Sequence, residues 1–199
     1  MKSLIKHTVT WSSIIDSEVG QAQKERLAME TDYPIVKKAV EAALKKRRRF
    51  GYLFYGDSQK DITCTPVKQF PGITTLLELF AVLEKCWSKE TAYPSCQVEW
   101  VPNDPSYGQC AITATLVHDM FGGTIHKIRV SGGGTHYFNK INGQYIDLTR
   151  EQFDLYNLPV DYEPNQEISR EYCGKNKNTY ERYRQLQRNI IHFLNPEKK

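Results

Sequence analysis

Residues 135–149 constrain this chain more than any other stretch. Two alternating runs, Thr135 to Ile141 and Gln144 to Thr149, flank Asn142-Gly143. Asn-Gly between such runs is the strongest short-range signal for a two-residue type I′ turn, because both central residues must take positive φ. With Asn142 and Gly143 in the turn, Ile141 faces Gln144, Phe138 faces Asp147 and His136 faces Thr149. His136 and Asp147 then share one face of the hairpin as diagonal neighbours. Diagonal backbones lie about 7–8 Å apart, a gap that an imidazole and a carboxylate can close with a hydrogen bond. A slip of one residue would put the two side chains on opposite faces.

The surroundings predict helices mixed with this antiparallel element. Thr31-Asp32 followed by Pro34 signals a helix start, and Ile35, Val36, Ala39, Val40, Ala43 and Leu44 recur at helical spacing. That helix runs into Lys45-Lys46-Arg47-Arg48-Arg49 and stops near Gly51. Tyr52-Leu53-Phe54-Tyr55 reads as a short strand, and 57–71, polar with Pro66 and Pro71, as a loop or linker. Thr75 with Glu78 three residues on has the spacing of a capping box, opening a helix through Phe80, Leu83 and Trp87. Residues 88–107, with three prolines, read as an irregular loop. Cys110 to Phe121 is apolar on most sides, as a buried helix is, and Gly122-Gly123 ends it. Thr124 to Val130 alternates as a strand does, Gly132-Gly133-Gly134 forms a break, and Tyr183, Leu186, Ile190 and Leu194 mark a last amphipathic helix.

Composition narrows the class. The 199 residues suit one domain, or one domain and an extension, and are 40% hydrophobic, enough for a core. Net charge is +4, but residues 1–71 carry 13 Lys/Arg against 8 Asp/Glu, so the basic excess belongs to the N-terminal part. A cationic run can touch nucleic acid or anionic lipid. It equally suits a solvated helix C-terminus, and with no recognition fold beside it specific nucleic-acid binding is not expected. No run is long enough to span a membrane and the start has no apolar signal core, so a cytoplasmic location is expected. The five cysteines (Cys64, Cys86, Cys96, Cys110 and Cys173) are odd in number and lack paired metal or redox spacing. No metal or other cofactor is expected.

Cys110 stands out among them. It follows Gly108-Gln109 and begins the apolar helix, where the dipole and the unpaired backbone N–H groups favour a thiolate. Most free cysteines are small buried hydrophobes. Here the chain order Cys110, His136, Asp147 supplies a thiol, a base and a group to orient the base. The helix N–H groups suit an oxyanion, with Gln109 or Trp100 as second donors. His118, two turns along the helix, and His126, on a strand face with Ile128 and Val130, are weaker candidates.

Tyr107-Gly108-Gln109-Cys110 resembles the nucleophile motif of transglutaminases. His136-Tyr137-Phe138-Asn139 resembles that family's H-V-W-N, and Asp147-Leu148-Thr149 its D-x-T. The order is shared by the wider transglutaminase-like and papain-like superfamily. Trp87-Ser88-Lys89-Glu90-Thr91, Gly108-Gln109-Cys110-Ala111, Phe121-Gly122-Gly123 and Asp147 to Phe153 are more closely similar to the YunG-like family of small bacterial proteins. This resemblance covers roughly residues 75–155. The compact Cys–His spacing departs from animal transglutaminases, so their cross-linking and calcium dependence are not carried over.

The resulting expectation is an α+β fold with a transglutaminase-like or papain-like core, its buried helix packed on an antiparallel sheet. Residues 1–71 are expected to form a helical, basic extension and 72–199 the catalytic domain. The expected activity is cysteine-dependent acyl transfer by Cys110, His136 and Asp147 on a protein, peptide or small amide substrate. Hydrolysis, deamidation and transamidation all remain open. Gln109, Trp100, Tyr107 and Asn139 are candidates for the oxyanion site or substrate wall. The competing expectation is a non-catalytic binding module that keeps the fold and uses the basic N-terminal helix as its contact surface. Oligomeric state is not legible.

Overall fold

A computed structural model describes residues 33–131 and 134–196. The helix start at Thr31-Asp32 and most of the glycine break lie outside those residues. From Ile35 onward the described residues form one compact unit.

The unit is α+β. Helices α1 (Pro34–Lys45), α2 (Leu76–Cys86) and α3 (Cys110–Phe121) precede strands β1 (Thr124–Arg129), β2 (Thr135–Ile141) and β3 (Gln144–Ile146). A short α4 (Glu151–Asp154), strand β4 (Gln166–Ile168), α5 (Arg170–Gly174) and the long α6 (Lys177–Leu194) complete it. The sheet is antiparallel in the order β3-β2-β1-β4.

The hairpin has the register its turn predicts. Ile141 pairs with Gln144 and Asn139 with Ile146, and Asn142 and Gly143 both take positive φ. The ladder ends at Ile146. Asp147 exchanges both backbone hydrogen bonds with Tyr55 instead, at 3.0 and 3.2 Å. The expected strand at 52–55 is therefore reduced to a single bridging residue. Its hydrogen-bonding edge is used once, on the segment that carries Asp147.

Helix α2 opens on a formed capping box between Thr75 and Glu78. Helix α3 starts at Cys110 and closes on Gly122 in the left-handed region. On α6, Tyr183, Leu186, Ile190 and Leu194 are all buried, the stripe expected from the 3.6-residue period. Residues 35–71 pack into the same unit. Phe54 is buried against Phe80, and Lys46 and Arg48 both pair with Glu84, at 2.9 and 2.8 Å. Arg48 of the basic run thus turns inward, while Lys46 reaches the same carboxylate from an exposed position.

Successive residues of a strand face opposite sides, and in β2 both sides are used. Asn139 donates to the Ala114 carbonyl of α3 at 2.9 Å, while Tyr137 packs with Ala114, Ile125 and Cys173, so this face carries the helices. Phe138 packs with Ile128 and Tyr162, so the face bearing His136 and Asp147 is covered by the chain after α4. The body of α3 therefore packs on the side of the sheet opposite the His136–Asp147 pair.

Candidate active site

His136 and Asp147 meet as the register requires. The ring Nε2 lies 2.7 Å from Asp147 Oδ2, with the residues 1% and 2% exposed. Asp147 accepts three further hydrogen bonds. Its Oδ1 takes the Thr149 backbone N–H and hydroxyl, both at 2.9 Å, and its Oδ2 takes the Tyr162 hydroxyl at 2.8 Å. Burial opposes ionisation of this carboxyl. The His136 charge and hydrogen bond, with those from Thr149 and Tyr162, outweigh burial and hold its pKa below the ordinary value. Burial likewise opposes charge on His136, but Asp147, and then Cys110, push its pKa up to about 10. An imidazolium is thus favoured beside the thiol.

The second ring nitrogen, Nδ1, is buried with no hydrogen-bond partner. Cys110 is close enough to act on the ring, yet no bond of acceptable geometry joins them. The thiol also acts on Tyr137, which faces the helices. Cys110 thus lies near side chains from both faces of β2, at the start of α3. Cys110, Thr113 and Ala114 line one small cleft with Tyr137, Asn139 and Asp147.

Local ties explain how a residue of α3 reaches the far face. Gly108, with φ of +74°, turns the chain into the helix and lies so close to Cys96 that a Cβ would stand 2.7 Å from the Cys96 Cβ. Its N–H donates to Gln152 Oε1 at 3.2 Å, and Gln152 Nε2 donates to the Thr149 carbonyl at 2.8 Å. One buried side chain therefore joins the turn before Cys110 to the segment after Asp147. Gln152 falls in the run from Asp147 to Phe153, but nothing local in the sequence marks it as a bridge. Tyr162, 15 residues beyond Asp147, carries no sequence signal for its contact.

The remaining candidates have other partners. Gln109 is fully buried and its Nε2 donates to the Ser88 carbonyl at 2.9 Å, so it fastens the turn before Cys110 to the preceding loop. Trp100 Nε1 donates to the Pro105 carbonyl, and the Tyr107 hydroxyl donates to Glu99. Asn139 pins β2 to α3. His126 bonds Thr124 and Asn165 through its two nitrogens, and His118 bonds the Gly123 carbonyl. The backbone N–H groups of the first turn of α3 have no intrahelical acceptor and lie beside Cys110. All five cysteines are free. Among the described residues no group of three or more His, Cys, Asp or Glu side chains is placed to hold a metal, and no helix is long and apolar enough to cross a membrane.

The fold and cluster define a mixed α+β protein with a thiol, an imidazole and a carboxylate gathered at one helix start. The family model described as YunG protein matches residues 75–195, and the chain belongs to that family. Over 82 residues it is 39% identical to the uncharacterized protein YunG of Bacillus subtilis (strain 168), a match covering 41% of this chain and 64% of that protein. The match therefore spans less than two thirds of this relative's length. No solved structure matches.

Proposed function

We propose that this protein is a cysteine-dependent acyl-transfer enzyme with a transglutaminase-like or papain-like core. Cys110 is the nucleophile, His136 the proton carrier and Asp147 the group that orients the ring. The observation that carries the reading is the buried 2.7 Å contact from His136 Nε2 to Asp147, which leaves Nδ1 without a partner and near Cys110 at the first residue of a buried helix. A buried nitrogen without a partner is costly, and a site that keeps one has reason to use it.

In the proposed reaction the Cys110 thiolate attacks the carbonyl carbon of an amide or ester. The oxyanion is met by backbone N–H groups of the first turn of α3. His136 gives its proton to the leaving amine or alcohol as the thioester forms. Water, deprotonated by the same ring, then releases an acid; an amine in its place gives a new amide.

The test is iodoacetamide labelling near neutral pH. Cys110 should react faster than the other four cysteines, and His136→Ala should slow it. A search for an acyl adduct on Cys110 after exposure to cell extract, with Cys110→Ser as control, would identify the substrate. Equal labelling of all five cysteines would sink the proposal.

A further inference from the structure

Arg182 of α6 is a buried cation without a counter-anion. The residue is 4% exposed, and among the described residues no carboxylate pairs with it. Its guanidinium bonds only neutral acceptors. Nε donates to Asn178 Oδ1 at 2.8 Å, one terminal nitrogen to the Thr91 carbonyl at 3.2 Å, and the other more weakly to the Thr179 hydroxyl. It also stands over the Tyr93 ring, 5.5 Å from the centroid. A guanidinium cannot shed its proton, so burying it without an anion is expensive. Buried charges are as a rule paired with an opposite one.

The 88–93 segment under this charge holds the nucleophile turn at two points. The Ser88 carbonyl accepts from Gln109, and the Tyr93 N–H donates to the Gly108 carbonyl at 2.8 Å. Thr91 and Tyr93, which Arg182 touches, lie between or at these points. Among the described residues, the ionisable groups whose charge acts on Arg182 are Cys110, Tyr93 and Cys96. Those acting on or facing Cys110 are His136 and Tyr137 from β2, Cys96 from the loop, Cys173 from α5, and Arg182 from α6. Besides His136, Arg182 is the cation in that set.

We infer that Arg182 is a positioning residue for the nucleophile, a fixed buried charge that braces the 88–93 segment behind Gly108 and Gln109 and favours the Cys110 thiolate. The inference rests on the triad reading above. It adds a second positive field that, unlike that of His136, persists whenever the imidazole gives up its proton. The thiolate is then held in this field both before attack and when it leaves as the thioester is resolved, each time beside the imidazolium.

The test follows iodoacetamide modification of Cys110 in the full chain by peptide mass spectrometry across pH. The wild type is compared with R182Q, R182M, R182K and H136A. R182Q is neutral but keeps an N–H donor for the Thr91 carbonyl; R182K keeps the charge and loses the fork. The neutral variants should slow labelling roughly tenfold on the acid limb, with the high-pH plateau retained, and R182K should follow the wild type. A purely structural role would lower the plateau without moving the limb. That result, or coincident profiles for the neutral variants and the wild type, overturns the inference while leaving the triad intact. If both neutral variants fail to fold, R182K decides: a limb unchanged from wild type supports the inference, and a displaced one overturns it. Wild-type Cys110 labelling that is indifferent to H136A would instead overturn the triad reading, and this inference with it.

Discussion

Tyr162→Phe isolates the part of the site that no local pattern announces. The tyrosine ring is packed on three sides, with centroids 4.3 Å from Tyr55, 4.8 Å from Phe138 and 6.0 Å from Tyr145. Phenylalanine keeps those contacts and removes only the hydroxyl that donates to Asp147 Oδ2 at 2.8 Å. The acceptor is an ionised carboxylate, 2% exposed, so no water replaces the donor freely. A hydrogen bond to a charged group contributes about 1.5–3 kcal/mol. For a protein of this size about 2 kcal/mol corresponds to a melting temperature lower by roughly 4–8 °C.

The effect has a pH signature that separates it from lost packing. Burial and the nearby Asp147 keep the Tyr162 hydroxyl protonated far above its ordinary range, so the donor is constant. The acceptor is not. Asp147 has a folded pKa below its unfolded value, so its contribution is present above the unfolded value of about 3.9 and lost as pH falls through the folded one. Removing a donor raises that folded pKa toward normal. The variant should therefore begin acid unfolding at a higher pH than the wild type, and their difference should shrink once both carboxyls are protonated. Urea unfolding at neutral pH and through the acid range measures this. A neutral-pH difference under about 0.5 kcal/mol, or one that does not change with pH, would refute the reasoning.

Three further outcomes follow from the same geometry. His136 is raised from 6.5 to about 10 on folding, so its contribution is fully present below the lower value and lost as pH rises through the upper. Wild-type stability should fall across that window, and His136→Gln should flatten the fall in urea unfolding. Gln152→Ala leaves the Gly108 N–H and the Thr149 carbonyl without their bridge. It should cost about 1–3 kcal/mol and slow Cys110 alkylation, both read on one preparation. Gly108→Ala and Gly143→Ala both place alanine at positive φ, but only the first drives a Cβ into Cys96. Each should lose about 1–2 kcal/mol for the backbone, and Gly108→Ala measurably more in a side-by-side melt.

What was legible in the sequence was local. The Asn142-Gly143 turn set the register, and with it the His136–Asp147 bond, because side-chain alternation and turn type are properties of adjacent residues. The Thr75–Glu78 capping box, the start of α3 at Cys110 and the buried stripe of α6 are of the same kind. The rest depends on partners far along the chain. Tyr55 reads as part of a strand but meets Asp147 alone, 92 residues on, and a four-residue run cannot announce a single bridge. Strand β4 has two exposed residues of three and no apolar alternation, so it is defined only by pairing with β1. Burial of Gln109 and Asn139 shows the limit for polar residues. Their types suit substrate contact, but each donates its side-chain amide to a distant backbone carbonyl that sequence does not bring near.

That limit bears on how the thiol reaches the imidazole. If helix α3 simply lay over the face bearing His136, packing alone would bring Cys110 to the ring. Instead the body of the helix lies on the other face, held there by Asn139, and only its first residue comes near the ring. The ladder of β3 stops at Ile146, and Asp147 pairs with Tyr55 instead. Gln152 then draws the Gly108 turn to the segment that carries Asp147. The Cys110–His136 contact therefore depends less on the hydrophobic core than on a few buried polar ties between loops. Substitutions in the core should unfold the protein with the site intact until it melts, whereas loss of a tie should loosen the contact while the fold persists.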